Sequence, residues 1–313
     1  RTDPLWVDAK KNSQPALAQA ADELRKGRRL VALERLHAAA QGLGAAQYAV
    51  GRPAVERKEL PAFEAEWKRI GSRLRDVTAT DGRAAASAAG LRPALVRALA
   101  ELSLAQARDS YAASLEYGRN TEPQYGLYYL GAAQTQRDFV ELARKLAAPP
   151  GSRAPALRAL RPEIDALQGD LLEAYRPPAS IDRHLEFIVA SSALKEARGL
   201  DAAGQRHAAL LRYLQAAQRV AMLRQPAVDA AAVRRRLDES SARLAGDTDH
   251  TIGRLFVERA QSALDAAAGP DATAAAVAMD VLPRYFAALE PPRPAAAPPA
   301  PRVTVTLVRW PFT

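Results

Sequence analysis

Three features of the sequence predict an all-α fold. The 313 residues are rich in alanine, leucine and arginine and only 6% aromatic, and those abundant types lose little side-chain entropy in a helix. Apolar positions recur at spacings of three and four over most of the chain, the period of one helix face. Turn signals built on glycine, proline and asparagine separate many of these stretches. The expected architecture is a set of antiparallel helix hairpins stacked as a solenoid or bundle, followed by a proline-rich linker and one C-terminal β-strand. At this length a sizeable core forms without staples.

Residues 1–12 hold Pro4 and the apolar cluster Leu5, Trp6 and Val7, and read as an extended arm. Residues 13–147 form a first helical half. It opens on a hairpin in which Gly27 divides two helices carrying Ala20, Ala32, Leu36 and Ala39. Leu60 to Val77 is a helix with Pro61 in its first turn and a buried stripe of Phe63, Trp67, Ile70 and Leu74. Residues 78–92, rich in Ala, Gly, Thr and Asp, read as a flexible connection. After Pro93 a long helix reaches Tyr117 and is closed by Gly118, Arg119 and Asn120. Thr121, with Gln124 as its capping-box partner, opens the next, which runs to Leu146. This hairpin concentrates Tyr111, Tyr117, Tyr125, Tyr128 and Tyr129, which read as a core edge with hydroxyls reaching solvent or as a protein-binding surface, the first candidate for one in the chain, because tyrosine buries area at low entropy cost and keeps a polar tip.

Residues 148–162 read as a Pro/Gly-rich connection, and residues 163–290 as the second half. Pro162 starts a short helix to Tyr175. Ser180 caps the next, whose Ile181, Leu185, Ile188 and Val189 form a stripe expected in the core. Helices at Val228–Leu244, Thr251–Ala268 and Ala272–Leu289 follow, the last kinked at Pro283.

The stretch Ala190–Met222 is the best specified. Ala197, Ala209 and Ala216 permit close helix approach, Leu194, Leu200, Leu211 and Tyr213 fill the space around them, and the turn lies at Asp201–Gly204. Ala197, Leu200, Gly204, Ala209, Tyr213 and Ala216 resemble the pattern of the tetratricopeptide repeat. Glu196 departs from it where the family has leucine, and Ala221 where it has a helix-ending proline. Ala20, Gly27, Ala32, Leu36 and Ala39 repeat the pattern in frame, with Glu23 in place of the large apolar residue and Leu24 beside it as a substitute. Leu127–Ala133 matches its first helix. The resemblance implies stacked hairpins that bury a shared core and present a concave protein-binding surface.

Residues 291–302 form a proline-rich linker that extends as a spacer. Residues 303–313 alternate Val303, Val305 and Leu307 with threonines, ahead of Trp310, and read as a strand. A lone strand leaves its backbone groups unpaired, so it pairs with the Leu5–Val7 arm, with the same strand of another subunit or, the favoured reading, with a partner's sheet edge, which makes Val303, Val305, Leu307 and Trp310 candidate protein-binding residues.

The net charge is +9, from 44 basic against 35 acidic residues. The basic runs Arg25–Arg29 and Arg234–Arg236 lack interleaved aromatics and read as solvated faces rather than a nucleic-acid site. The chain has no cysteine and no apolar window long enough to span a membrane. Nucleotide-loop, zinc and hydrolase signatures are absent. His37, His184, His207 and His250 read as surface or boundary residues, and Ser192–Lys195 as an isolated S-x-x-K. No catalytic, cofactor-binding or metal-binding residue is assigned, and no cofactor is expected. The alanine-arginine bias and the opening RTDPLWVDAKKN set the expectation of a bacterial protein, periplasmic or secreted after signal removal. The leading functional expectation is a non-catalytic scaffold or accessory subunit with a protein partner in a larger cell-envelope assembly. The alternative is a helical enzyme acting on a glycan or lipid through acidic pairs such as Glu163 with Asp165 or Asp238 with Glu239.

Overall fold

A computed structural model describes residues 3–52, 59–85, 93–120, 123–147, 151–177, 181–224, 229–266 and 272–289. Over these residues the chain is all-α. The helices are α1 (Pro4–Arg25), α2 (Arg29–Val50), α3 (Leu60–Ala85), α4 (Ala94–Asn120), α5 (Pro123–Ala143), α6 (Arg161–Ala174), α7 (His184–Ala202), α8 (Arg206–Arg224), α9 (Ala230–Arg243), α10 (Thr251–Ala266), α11 (Thr273–Met279) and α12 (Leu282–Ala288). A 3-10 turn at Ile181–Arg183 precedes α7. The expected Ser180 cap, the Thr121 start and the whole C-terminal linker and strand lie outside the described residues.

Helices α1 and α2, α4 and α5, and α7 and α8 pair as hairpins. Gly27 (φ +80°) and Gly204 (φ +75°) close the first and third turns in the left-handed region, where a side chain costs about 1–2 kcal/mol. Helix α7 runs past the expected end at Leu200 to Ala202. Its face of Ala190, Leu194, Ala197 and Leu200 meets Ala209, Tyr213 and Ala216 of α8 in the core. Helix α2 lies on α5, α4 on α8, and α10 packs back against α2 and α4. The main core therefore draws Val31, Leu95 and Leu99 from one side of the 148–162 connection and Leu211, Phe256 and Tyr285 from the other.

Several expectations are corrected. The residue 1–12 arm is helical from Pro4, because Asp3 accepts from the Leu5 N–H at 2.9 Å and proline at N1 costs no intrahelical bond. Helix α3 continues through the first part of the 78–92 connection to Ala85. Gly118 does not end α4: a Cβ there would overlap Phe63, and one on Gly126 would lie 2.7 Å from the Gly118 Cα. These glycines bring α4 and α5 together rather than stopping a helix. Helix α5 ends at Ala143, short of Leu146. Pro283 separates two helices instead of kinking one, and sits in the first turn of α12. Leu24, offered as a core substitute for Glu23, is 49% exposed.

The described part of the Pro/Gly-rich connection is pinned to the body. The Arg153 N–H donates to the Asp247 carbonyl and its own carbonyl accepts from Asp249, both at 2.8 Å. Leu157 bridges to Leu289, and Leu157 and Leu160 are buried.

Candidate protein-binding surfaces

The five candidate tyrosines divide by the helix face that carries them. Tyr111 of α4 stacks on Trp67 of α3, with centroids 4.8 Å apart, and together with Tyr128 of α5 it packs against the Phe63, Ile70 and Leu130 cluster. Burial pushes the Tyr111 hydroxyl above its usual pKa. Tyr117 stacks on Tyr129 at 5.0 Å, and Tyr128 meets Tyr129 edge-on at 6.1 Å. Tyr117 and Tyr125 are exposed. The structure thus links Tyr117, Tyr128 and Tyr129 into one aromatic run and places Tyr111 at a core edge. Val303, Val305, Leu307 and Trp310 lie outside the described residues.

A second surface comes from a stripe expected to be buried. Ile181 (60%), Leu185 (70%), Ile188 (48%) and Val189 (39%) are exposed. At about 100° per residue Leu185, Ile188 and Val189 sit round α7 from its Ala190, Leu194 and Ala197 face, with Ile181 in the 3-10 turn ahead of them, and α7 has only one face to bury against α6 and α8. Periodicity marks both faces as apolar and does not say which is covered.

Beside this ridge α2, α7, α8, α10 and α11 enclose a groove of about 570 Å³. Val189, Ala193, Met222 and Ala263 supply its apolar lining, and Arg35, Arg212, Arg219 and Arg259 its charge. The spacing of Arg212, Gln215, Arg219 and Met222, three-four-three, turns one face of α8 toward the groove. That polar stripe was readable in the sequence; the contributions of Arg35 and Arg259 were not. Each arginine is held from behind by an acid. Arg212 Nε lies 2.8 Å from Glu196, Arg219 3.0 Å from Glu186, Arg259 Nε 3.0 Å from Glu34, and Arg35 3.8 Å from Glu23. Glu196, the departure from the repeat pattern, thereby anchors a groove arginine.

No family model, curated protein or solved structure matches the chain.

The histidine expectation is corrected for three of four. His37, His207 and His250 are buried, each beside a partner. His37 Nε2 lies 2.8 Å from Ser103 Oγ and its ring 4.4 Å from Phe139. Burial, the largest effect, lowers its pKa to about 4; Glu34 opposes the shift and Arg212 adds to it. His250 Nδ1 lies 2.8 Å from the Tyr285 hydroxyl, and His207 stands 3.6 Å from Glu101. His184 is exposed. Within the Arg25–Arg29 run, Arg28 is buried rather than solvated, paired with Glu23 and, at 2.5 Å, with Asp265.

Ser192 and Lys195 are exposed on a cavity of about 480 Å³ between α4 and the α7–α8 turn. Asp165 is engaged by Arg198 at 2.7 Å and Glu163 by Arg158 at 2.5 Å. Asp238 and Glu239 face solvent. Among the described residues no three His, Asp or Glu side chains are grouped to hold a metal, and no helix is long and apolar enough to cross a membrane.

Proposed function

We propose that the chain is a non-catalytic helical scaffold or accessory subunit that binds another protein, as part of a bacterial cell-envelope assembly outside the cytoplasm. The observation that carries this reading is the exposed ridge of Ile181, Leu185, Ile188 and Val189. Four large apolar side chains, Ile181 in the 3-10 turn and Leu185, Ile188 and Val189 on α7, lose favourable free energy in water, and covering them by a partner recovers roughly 25 cal/mol per Å² of apolar surface. The Tyr117–Tyr129 run supplies a second contact area, and the segment with Val303, Val305, Leu307 and Trp310 is the docking element that adds to a partner's sheet. The packing of α10 against α2 supports a closed bundle of hairpins over an open stack, in which units touch only their neighbours. Enzymatic action on a glycan or lipid lacks comparable support, since Asp165 and Glu163 are engaged by arginines.

The test is crosslinking and capture from a native extract with the wild-type chain and a Leu185→Ser/Ile188→Ser variant. Both positions are exposed, so helicity and unfolding midpoint should be unchanged while captured partners are lost. Retention of every partner by the variant would overturn the assignment of this surface.

A further inference from the structure

We infer that the groove beside the α7 ridge takes an acidic amphipathic polypeptide segment, whose apolar side chains lie on Leu185, Val189 and Met222 and whose carboxylates reach Arg35, Arg212, Arg219 and Arg259. The inference rests on the protein-binding reading above and names the chemistry of the partner. The first ground is the composition of the wall. Four of the thirteen lining residues are arginine and none is acidic, so the charged groups on the wall itself are all cationic and their paired acids lie outside the lining. The second is donor capacity. A guanidinium carries five N–H donors in a fixed fork, and Glu196 and Glu186 each engage only part of that set on Arg212 and Arg219. The nearby acceptors are already taken: Gln215 Oε1 accepts from Arg212 at 2.8 Å and Gln218 Oε1 from Arg259 at 2.5 Å. Apart from the Ser262 hydroxyl, which donates to Glu23, the wall offers chiefly guanidinium donors, which fits carboxylates.

The third ground is extent. From Ile181 in the 3-10 turn to Ala193 of α7 the apolar face covers roughly 19 Å, at about 2 Å per residue in the turn and 1.5 Å in the helix, so an occupant that fills the groove and also covers Leu185 is longer than a small molecule. An amphipathic helix or strand meets both demands, laying an apolar face in the groove with polar flanks on its rim. The chain's own C-terminal segment is a poor occupant, because residues 291–313 hold Arg293, Arg302 and Arg309 and no acid. A second copy is disfavoured by a net charge of +9.

The test uses fluorescence anisotropy with two labelled sixteen-residue peptides of one amphipathic pattern, leucine on one face and either glutamate or lysine on the other. The glutamate peptide should bind the wild-type chain. Binding should weaken at least ten-fold in Arg212→Gln/Arg219→Gln and in Leu185→Ser, and should fall as salt rises. Arg219→Gln alone, at a side chain half exposed, gives a partial loss in a variant that folds normally. Equal binding of the lysine peptide, or indifference to the arginine variants, overturns the inference. So does arginine-dependent sedimentation with anionic phosphatidylserine vesicles in the absence of glutamate-peptide binding. If Leu185→Ser/Ile188→Ser loses its captured partners while the peptides ignore the arginines, the scaffold reading stands and only the partner chemistry fails. If that variant keeps every partner, the scaffold reading fails independently of the peptide result.

Discussion

Glu101 of α4 closes the start of α8, and its removal should cost about 3 kcal/mol. Its Oε2 accepts from the Ala208 N–H at 3.0 Å, the third residue of α8 and one of the four donors that a helix leaves without an internal partner. Glu101 is 8% exposed, so water does not replace it. Burial pushes its carboxyl up, but the His207 ring, the Ala208 N–H and Arg97 hold it below its usual pKa on balance. In Glu101→Ala the buried N–H that Glu101 caps is left without an acceptor, about 3 kcal/mol at the upper end for a fully desolvated donor that has lost a charged partner. The Arg97 pair, 2.9 Å long but 41% exposed on the arginine side, adds little. Glu101→Gln keeps an acceptor oxygen and loses only the charge, about 1 kcal/mol. Urea unfolding followed by circular dichroism measures the difference, and amide exchange at Ala208 reports the local opening that a 313-residue chain can undergo before global unfolding. Faster Ala208 exchange is expected in Glu101→Ala. Wild-type stability in that variant would refute the capping argument; equal losses in the two variants would mean that charge, not an acceptor, holds the contact.

Below neutral pH, His37 should erode stability. Its pKa is 6.5 unfolded and about 4 in the fold, so the unfolded chain binds more protons between those values. The contribution is fully present above pH 6.5 and is lost as pH falls toward 4, by about 1.4 kcal/mol per pH unit and about 3 kcal/mol in all. His250, also lowered by burial first, acts in the same direction. Urea midpoints at pH 7, 6 and 5 should show a shallower fall in His37→Gln, and an unaltered slope would remove His37 as the cause. Gly131→Ala and Gly169→Ala should have opposite signs. A Cβ on Gly131 would lie 2.6 Å from the Tyr48 Cβ and 2.7 Å from the Ala45 carbonyl, forcing α2 from α5 at about 1–3 kcal/mol. The same atom on Gly169 meets nothing within 4 Å, so the gain in helix propensity remains, about 0.5–1 kcal/mol. Thermal melts of both variants check the contrast, and a stabilised Gly131→Ala would show that the two helices are not in close contact.

The helices themselves were legible because their signals are local. Ala197, Ala209, Tyr213 and Ala216 lie in the core of the α7–α8 hairpin, and Gly27 and Gly204 turn the chain where expected. The groove was half legible. Arg212, Gln215, Arg219 and Met222 share a face by spacing alone, whereas Arg35 and Arg259 reach the same groove from α2 and α10, 224 residues apart by their numbers. Charged residues were misjudged where their partners are distant. Glu23 stands at an apolar position of the repeat pattern, yet it is buried against Arg28 and accepts from Ser262 at 2.5 Å.

The sequence by itself determined the helical class, the hairpin turns and the packing alanines, since propensity, period and left-handed glycines act within a few residues. Only the tertiary structure decided how several helices begin. Arg28 and Leu160 stand at the N-caps of α2 and α6 without side-chain cap bonds. Glu258 of α10 accepts from Leu30 at 2.8 Å and Val31 at 3.0 Å, and Asp201 accepts from Leu160 at 3.2 Å. Asp249 takes the Ala94 N–H at 2.5 Å and Thr251 the Leu95 N–H at 2.9 Å at the start of α4, as Glu101 takes the Ala208 N–H of α8. An orphan helix donor requires an acceptor within hydrogen-bond distance and is indifferent to where in the chain that acceptor comes from. The same indifference left the Ile181–Val189 ridge exposed: period marks an apolar face, and only the positions of the other helices determine whether it is covered.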